Sequence, residues 1–217
     1  LTVSSVGTIL AGVGLFTPQA LSAALYYTLH STIVIAALFL LVELIAAQRG
    51  EAADNLQPAH AVREPVLLGV MMLFGAASAA GLPPLPGFLG KLMVLQSSSG
   101  LPAQAWVWSV VLAVGFLTIV GLARAGVIVL WHGQPATHPG AGGSNPRLLA
   151  PVWGFMALTL VLAVMASPVK RYTDASAVQL STRADYVRAV LGSDAPDRPT
   201  TRDYDGRRAA PAQEKQP

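Results

Sequence analysis

Apolar residues are gathered into five long stretches that end near Val169, and the chain after Tyr172 is polar. The stretches run over 1–15, 18–47, 65–98, 104–131 and 148–169. None shows the two-residue alternation of a half-buried strand, so the pattern predicts helices throughout. A helix rises about 1.5 Å per residue and a bilayer core is about 30 Å thick, so the four longer stretches reach across a membrane. Trp108 and Trp131 would stand about 35 Å apart on one helix, close to the two aromatic belts of a bilayer. The expected fold class is therefore all-α, a polytopic transmembrane helix bundle over 1–169.

The third stretch differs from the rest. As one straight helix, 65–96 would be about 48 Å long, well beyond what a bilayer needs. Pro83, Pro84 and Pro86 prevent that helix, because each lacks an amide donor and clashes with the preceding turn. The spacing predicts a helix to about Ala80, a non-helical stretch over 81–87, and a half-helix starting near Gly87. Lys91, the only charged residue between Glu64 and Gln96, follows this break. A charge at membrane depth costs a few kcal/mol or more and usually faces protein or a water-filled path. Broken backbone is tolerated there only under the same condition. Together they point to an ion pathway. The competing arrangement is an interfacial loop between two short helices, with Lys91 snorkelling to the surface.

His30 stands about 15 Å into the second stretch, near its middle. Tyr26, one turn earlier, shares its face and is placed to hydrogen-bond with it. Histidine takes and releases a proton near neutral pH, which suits a relay. A neutral packing histidine bonded to a neighbouring helix fits the sequence equally well. Glu43 and Arg124 lie near helix ends and read as interfacial. Ser4, Thr8 and Gly12 recur every four residues on the first helix, the small-residue pattern that lets membrane helices approach.

Composition agrees with this reading. Charged residues make up 12% of the 217, about half the share of a globular domain. The net charge of +3 gives no basis for nucleic-acid binding, and no cysteine is available for an iron–sulfur cluster. No cofactor is expected. His132 and His138 fall in a Gly/Pro-rich loop without further ligands, and only one histidine is at membrane depth. Arg49, Arg63 and Arg147 share one membrane side, while Lys170, Arg171, Arg183 and Arg188 follow the last span on the other. The positive-inside rule therefore selects no orientation. Leu180, Ala184, Val187 and Leu191 recur at helical spacing, which predicts an amphipathic helix over 172–192. The polar, Pro-rich 193–217 reads as disordered. The first residue is Leu1, inside an apolar run, and the chain is expected to be a fragment of something longer.

At this point the residues resemble a family. GLPPLPGFLGK after an apolar helix is similar to the broken-helix motif of antiporter-like membrane subunits, those of Mrp-type cation/proton antiporters and of complex I. SSVGTILAGVG and YYTLHSTIVIAALFLL resemble the two preceding helices of that family, and the likeness covers 1–169. It implies the C-terminal part of a subunit of about fourteen helices built from two inverted five-helix repeats. It also implies proton-path roles for Lys91 and His30. Many relatives carry a lysine where this chain has Ile35, and complex I relatives often carry a histidine where it has Ser5. The short tail and the LTVSSVG and LHSTIVIAALFLL segments are closer to the D-type member of the Mrp antiporters.

The resulting expectation is an ion-translocating subunit of a multisubunit Na⁺ or K⁺/proton antiporter in a bacterial plasma membrane, with other antiporter subunits and the bilayer as partners. It would be a transporter rather than an enzyme. The alternatives are a proton-pumping subunit of an NADH:quinone oxidoreductase or membrane hydrogenase, and a non-conducting structural subunit. Because 193–217 lacks apolar periodicity, deleting 194–217 is expected to leave complex assembly and ion transport intact. Loss of either on co-purification or flux measurement would show an ordered docking element.

Overall fold

The computed structural model describes residues 1–57, 62, 64–131, 146–182 and 190. The chain divides into two units, Leu1–Ser181 and Thr182–Pro217, and the architecture below is that of the first. Seven α-helices follow one another: α1 Thr2–Gly14, α2 Pro18–Ala46, α3 Pro65–Ala80, α4 Pro86–Ser97, α5 Gln104–Gly126, α6 Pro146–Val164 and α7 Ala166–Ser181. No strand occurs among the described residues.

The axis of the bundle is α2. Thr17 caps its start, accepting a hydrogen bond from the Ala20 amide at 3.2 Å, and Pro18 occupies the first helical position, where no amide donor is needed. Helices α1, α3, α4, α6 and α7 all pack on it. It is accordingly apolar all round, and Ala20, Tyr27, Val34, Leu41 and Leu44 are buried on its different sides. Its 29 residues make it about 44 Å long, so it tilts if it spans a bilayer. The second helix long and apolar enough to span is Gln104–Leu130, comprising α5 and most of the π-helical turn Val127–Trp131. Apart from the buried Val111, most of α5 is half-exposed or exposed.

Small residues set the close crossings. A Cβ added to Gly12 would lie 3.1 Å from Ala24 Cβ and 3.3 Å from the Ala20 carbonyl, so α1 meets α2 almost backbone to backbone. Thr8 and Gly12 form the buried face of α1. A Cβ on Gly75 of α3 would come within 2.6 Å of Leu38 Cδ2, and one on Gly90 of α4 within 2.8 Å of the Tyr27 ring.

The segment after residue 148 departs from the sequence expectation. The stretch 148–169 is not one straight helix: α6 ends at Val164, the chain turns at Met165, and α7 leaves at 79°. Pro168 is the physical reason, since inside a continuous helix its ring would clash with the Val164 carbonyl. In the first turn of a new helix it is harmless. The packed face of α7 carries Thr173 and Ala177, not Leu180, which is 65% exposed. Ser22 of α2 bonds both Thr173 (3.0 Å) and Asp174 (2.6 Å). Lys170 pairs with Asp174 at 2.6 Å. Ala184, Val187 and Leu191 of the expected stripe, the expected disordered tail 193–217, and the loop histidines His132 and His138 lie outside the described residues.

Arg49, just beyond α2, is buried and folds the following loop around itself. Its guanidinium donates to the carbonyls of Ala53 and Asn55, both at 2.8 Å, and to that of Gln57.

The crossings differ in how much a methyl group would disturb. At Gly75 the added carbon meets the end of a flexible leucine, whereas at Gly87 it would overlap the Ser78 carbonyl, which is backbone. Gly87→Ala is expected to lower the thermal stability of the purified complex by several degrees more than Gly75→Ala. Equal stability of the two variants would contradict this packing.

Candidate functional site

The break between α3 and α4 begins with how α3 stops. Gly81 adopts the left-handed conformation (φ 84°), open to glycine at little cost. The Leu82 amide then bonds the Ala77 carbonyl at 2.9 Å, and the Gly81 amide bonds that of Ser78 at 3.2 Å. These are the two bonds of a Schellman ending. They leave the carbonyls of Ala79 and Ala80 to find donors elsewhere. Leu82 to Leu85 form the non-helical link, and α4 starts at Pro86, one residue before the position expected from the sequence. Pro83 and Pro84 thus stand in the link, while Pro86 and Gly87 open the new helix.

Lys91 supplies the missing donors. Side chains tilt toward the N-terminus of their own helix, so from the second turn of α4 the lysine reaches back over the break. Its ammonium donates to Ala80 O at 2.7 Å and Ala79 O at 3.3 Å. The carbonyl end of a helix carries partial negative charge, which favours a cation there. Lys91 is 9% exposed and faces protein. Two glycines make room for it: a Cβ on Gly81 would lie 3.4 Å from Nζ, and one on Gly115 of α5 3.8 Å from it.

His30 approaches the same turn from α2. It is 1% exposed, and its Nε2 edge lies beside the start of α4, where a Cβ on Gly87 would meet it at 2.7 Å. The ring engages the Ser78 main chain and interacts electrostatically with Lys91. Three successive residues at the end of α3 therefore serve two titratable side chains, Ser78 for His30 and Ala79 with Ala80 for Lys91.

Tyr26 has a different partner from the one its spacing indicates. Its hydroxyl donates to the Leu162 carbonyl of α6 at 3.4 Å, and the aromatic neighbour of His30 is Tyr27, with ring centroids 5.8 Å apart. On a helix both i−3 and i−4 positions flank a residue, and the choice was settled by α6 drawing Tyr26 away. Tyr27 in turn lies beside Ser5 and Thr8 of α1. Glu43 and Arg124 are both exposed and lie away from this cluster.

Sequence reasoning missed Tyr27, the paired carbonyls and Gly115. The carbonyls had a signal in the run AASAAG, a small-residue helix end closed by glycine. Gly115 had none, because its role depends on which helix lies opposite the lysine. An apolar groove of about 680 Å³ between α3 and α5 runs from Pro65 past Leu73 and Ile119 to Ala80 and Leu82, ending beside the lysine's acceptor. Chemically, the site brings a buried amine and a buried imidazole, both groups that can take up and release a proton, to the same helix end.

Comparison with known proteins agrees with the geometry. Residues 2–121 match the family described as NADH:quinone oxidoreductase/Mrp antiporter, TM. The chain is 32% identical over 190 residues to the D-type component of the Na(+)/H(+) antiporter of Alkalihalophilus pseudofirmus, covering 87% of this chain and 38% of that protein. It is 30% identical to the corresponding Na(+)/H(+) antiporter component of Bacillus subtilis over the same shares. It is also 38% identical over 122 residues to the N-type component of the NADH-quinone oxidoreductase of Thioalkalivibrio sulfidiphilus, covering 55% of this chain and 24% of that protein. The chain thus spans well under half the length of these relatives. One polypeptide of the Mrp complex from Dietzia sp. DQ12-45-1b superposes with a TM-score of 0.69 at 24% identity, covering 87% of this chain and 43% of that one. A buried lysine on a broken helix, a matched family model and a shared fold converge on one conclusion: the chain belongs to the NADH:quinone oxidoreductase/Mrp antiporter transmembrane family.

Proposed function

We propose that this chain is the C-terminal part of an ion-translocating subunit of a multisubunit Na⁺ or K⁺/proton antiporter in a bacterial plasma membrane. The observation that carries the reading is the Lys91 ammonium, buried against the end of α3 and held by two main-chain carbonyls. A merely anchoring lysine gains most by extending to the headgroups. This one turns inward, to the place where the helix break exposes unpaired backbone.

In the proposed cycle the ammonium gives its proton to a water at the break, and the neutral amine releases the Ala79 and Ala80 carbonyls. Reprotonation restores both bonds. His30, on the neighbouring residue of the same turn, passes the proton toward one membrane face. Lys91 and His30 are the proton carriers in this reading, and Tyr26 is assigned to α2–α6 packing. The partners are the other subunits of the antiporter and the surrounding lipid. The likeness to an NADH-quinone oxidoreductase component favours a second reading, a proton-pumping subunit of that complex. The proteins that co-purify with the full-length chain discriminate between the two.

Two substitutions test the site in the assembled complex, by following cation-driven proton flux in inverted membrane vesicles. Lys91→Ala is expected to abolish flux. Lys91→Arg is expected to abolish it too, because guanidinium keeps its proton at cellular pH. Full flux with arginine would show a fixed charge instead of a proton carrier.

His30→Gln keeps hydrogen bonding and most of the volume but cannot titrate. Flux is expected to fall about tenfold or more, with an altered pH profile. An unchanged rate and profile would leave His30 a packing residue.

A further inference from the structure

Ser78 is fully buried, and its hydroxyl has no hydrogen-bond partner among the described residues. Most buried hydroxyls are paired, and a helical serine commonly bonds the carbonyl one turn back. The other orphaned side-chain atom at this level is His30 Nδ1. Both belong to the junction where α2, the end of α3 and the start of α4 meet. The Ser78 carbonyl accepts from the Gly81 amide and lies near His30, since a Cβ on Gly87 would meet both, and the two carbonyls that follow it hold Lys91. Ser78 is thus the residue that joins the two proton carriers along one turn of backbone.

We infer that the Ser78 hydroxyl is a third member of the proton path, a positioning and relay group between His30 and Lys91. The inference rests on the function proposed above. A hydroxyl can accept a proton on an oxygen lone pair while its own hydrogen leaves to the next acceptor. Rotation about the Cβ–Oγ bond then restores the starting state, so no charge stays on the serine. Ordered water is the natural partner for buried polar groups that lack protein ones, and it would complete the links to the imidazole and the amine. The surrounding residues leave no other role in view. Ala77, Ala79 and Ala80 carry no side-chain polarity, so Ser78 is the only hydroxyl in the last turn of α3.

The test uses the full-length subunit in its assembled complex, comparing Ser78→Ala and Ser78→Thr with the unaltered protein. Antiport rate, its pH profile and the ratio of rates in H₂O and D₂O are measured. Alanine is smaller than serine and should leave assembly intact. Ser78→Ala is expected to slow antiport about tenfold and to change both the pH profile and the isotope ratio. Ser78→Thr, which keeps the hydroxyl, is expected to recover most of the rate. A Ser78→Ala complex that runs at the normal rate overturns the inference. So does one that slows with an unchanged pH profile and isotope ratio, whatever threonine does, because that is the signature of packing. Lys91→Ala in the same preparation separates the two levels: if it transports normally, the proposed function itself falls. If it is dead while Ser78→Ala is unaffected, only the role of the serine falls.

Discussion

A helix that stops inside apolar surroundings must hand its last carbonyls to some donor, since an unpaired buried carbonyl costs about 1–3 kcal/mol. At the end of α3 the glycine turn pairs two of them internally, and the ammonium of Lys91 takes the next two. That constraint ties the site together. The prolines end the helix, the ended helix needs donors, and the lysine becomes the cap. The same bonds answer the opposite problem, because a buried ammonium needs acceptors as much as the carbonyls need donors. Each element is costly alone and acceptable with the other.

The arrangement depends on α2 holding its neighbours close. Tyr27 is pressed between α1 and Gly90 of α4, and His30 reaches the break three residues later. A side chain at Gly87 would collide with both Ser78 and His30. The glycines along α4 therefore fix the distance between imidazole and amine by letting three backbones meet. The polar contacts of Ser22 with Thr173 and Asp174 hold α7 against the start of α2 on the far side of the bundle axis.

The features legible in the sequence were those that violate a rule of the membrane environment. Three prolines and a lone lysine in an apolar run stand out because each is expensive there, and their adjacency located the break to within two residues. Small-residue spacing on α1 was legible for the same reason. Features decided by what lies opposite were not. Tyr26 and Tyr27 flank His30 almost equally along the helix, and α6 and α1 decided between them. The burial of Arg49 depends likewise on loop carbonyls that wrap around it. The turn at Met165 had its signal in Pro168, which apolar content concealed.

The chemistry of the junction bears on which half of an exchange it serves. Its groups are an amine, an imidazole, a hydroxyl and main-chain carbonyls, and the carbonyls already hold a positive charge. A metal cation entering beside the ammonium would meet repulsion with no carboxylate among the lysine's described partners to offset it. The forces at short range in a low-dielectric setting are large enough to make that a strong exclusion. A proton avoids that repulsion when the proton of Lys91 leaves before the next arrives, so that the site never holds a second charge. In the proposed antiporter, the junction of α2, α3 and α4 therefore turns metal cations away for as long as Lys91 is protonated.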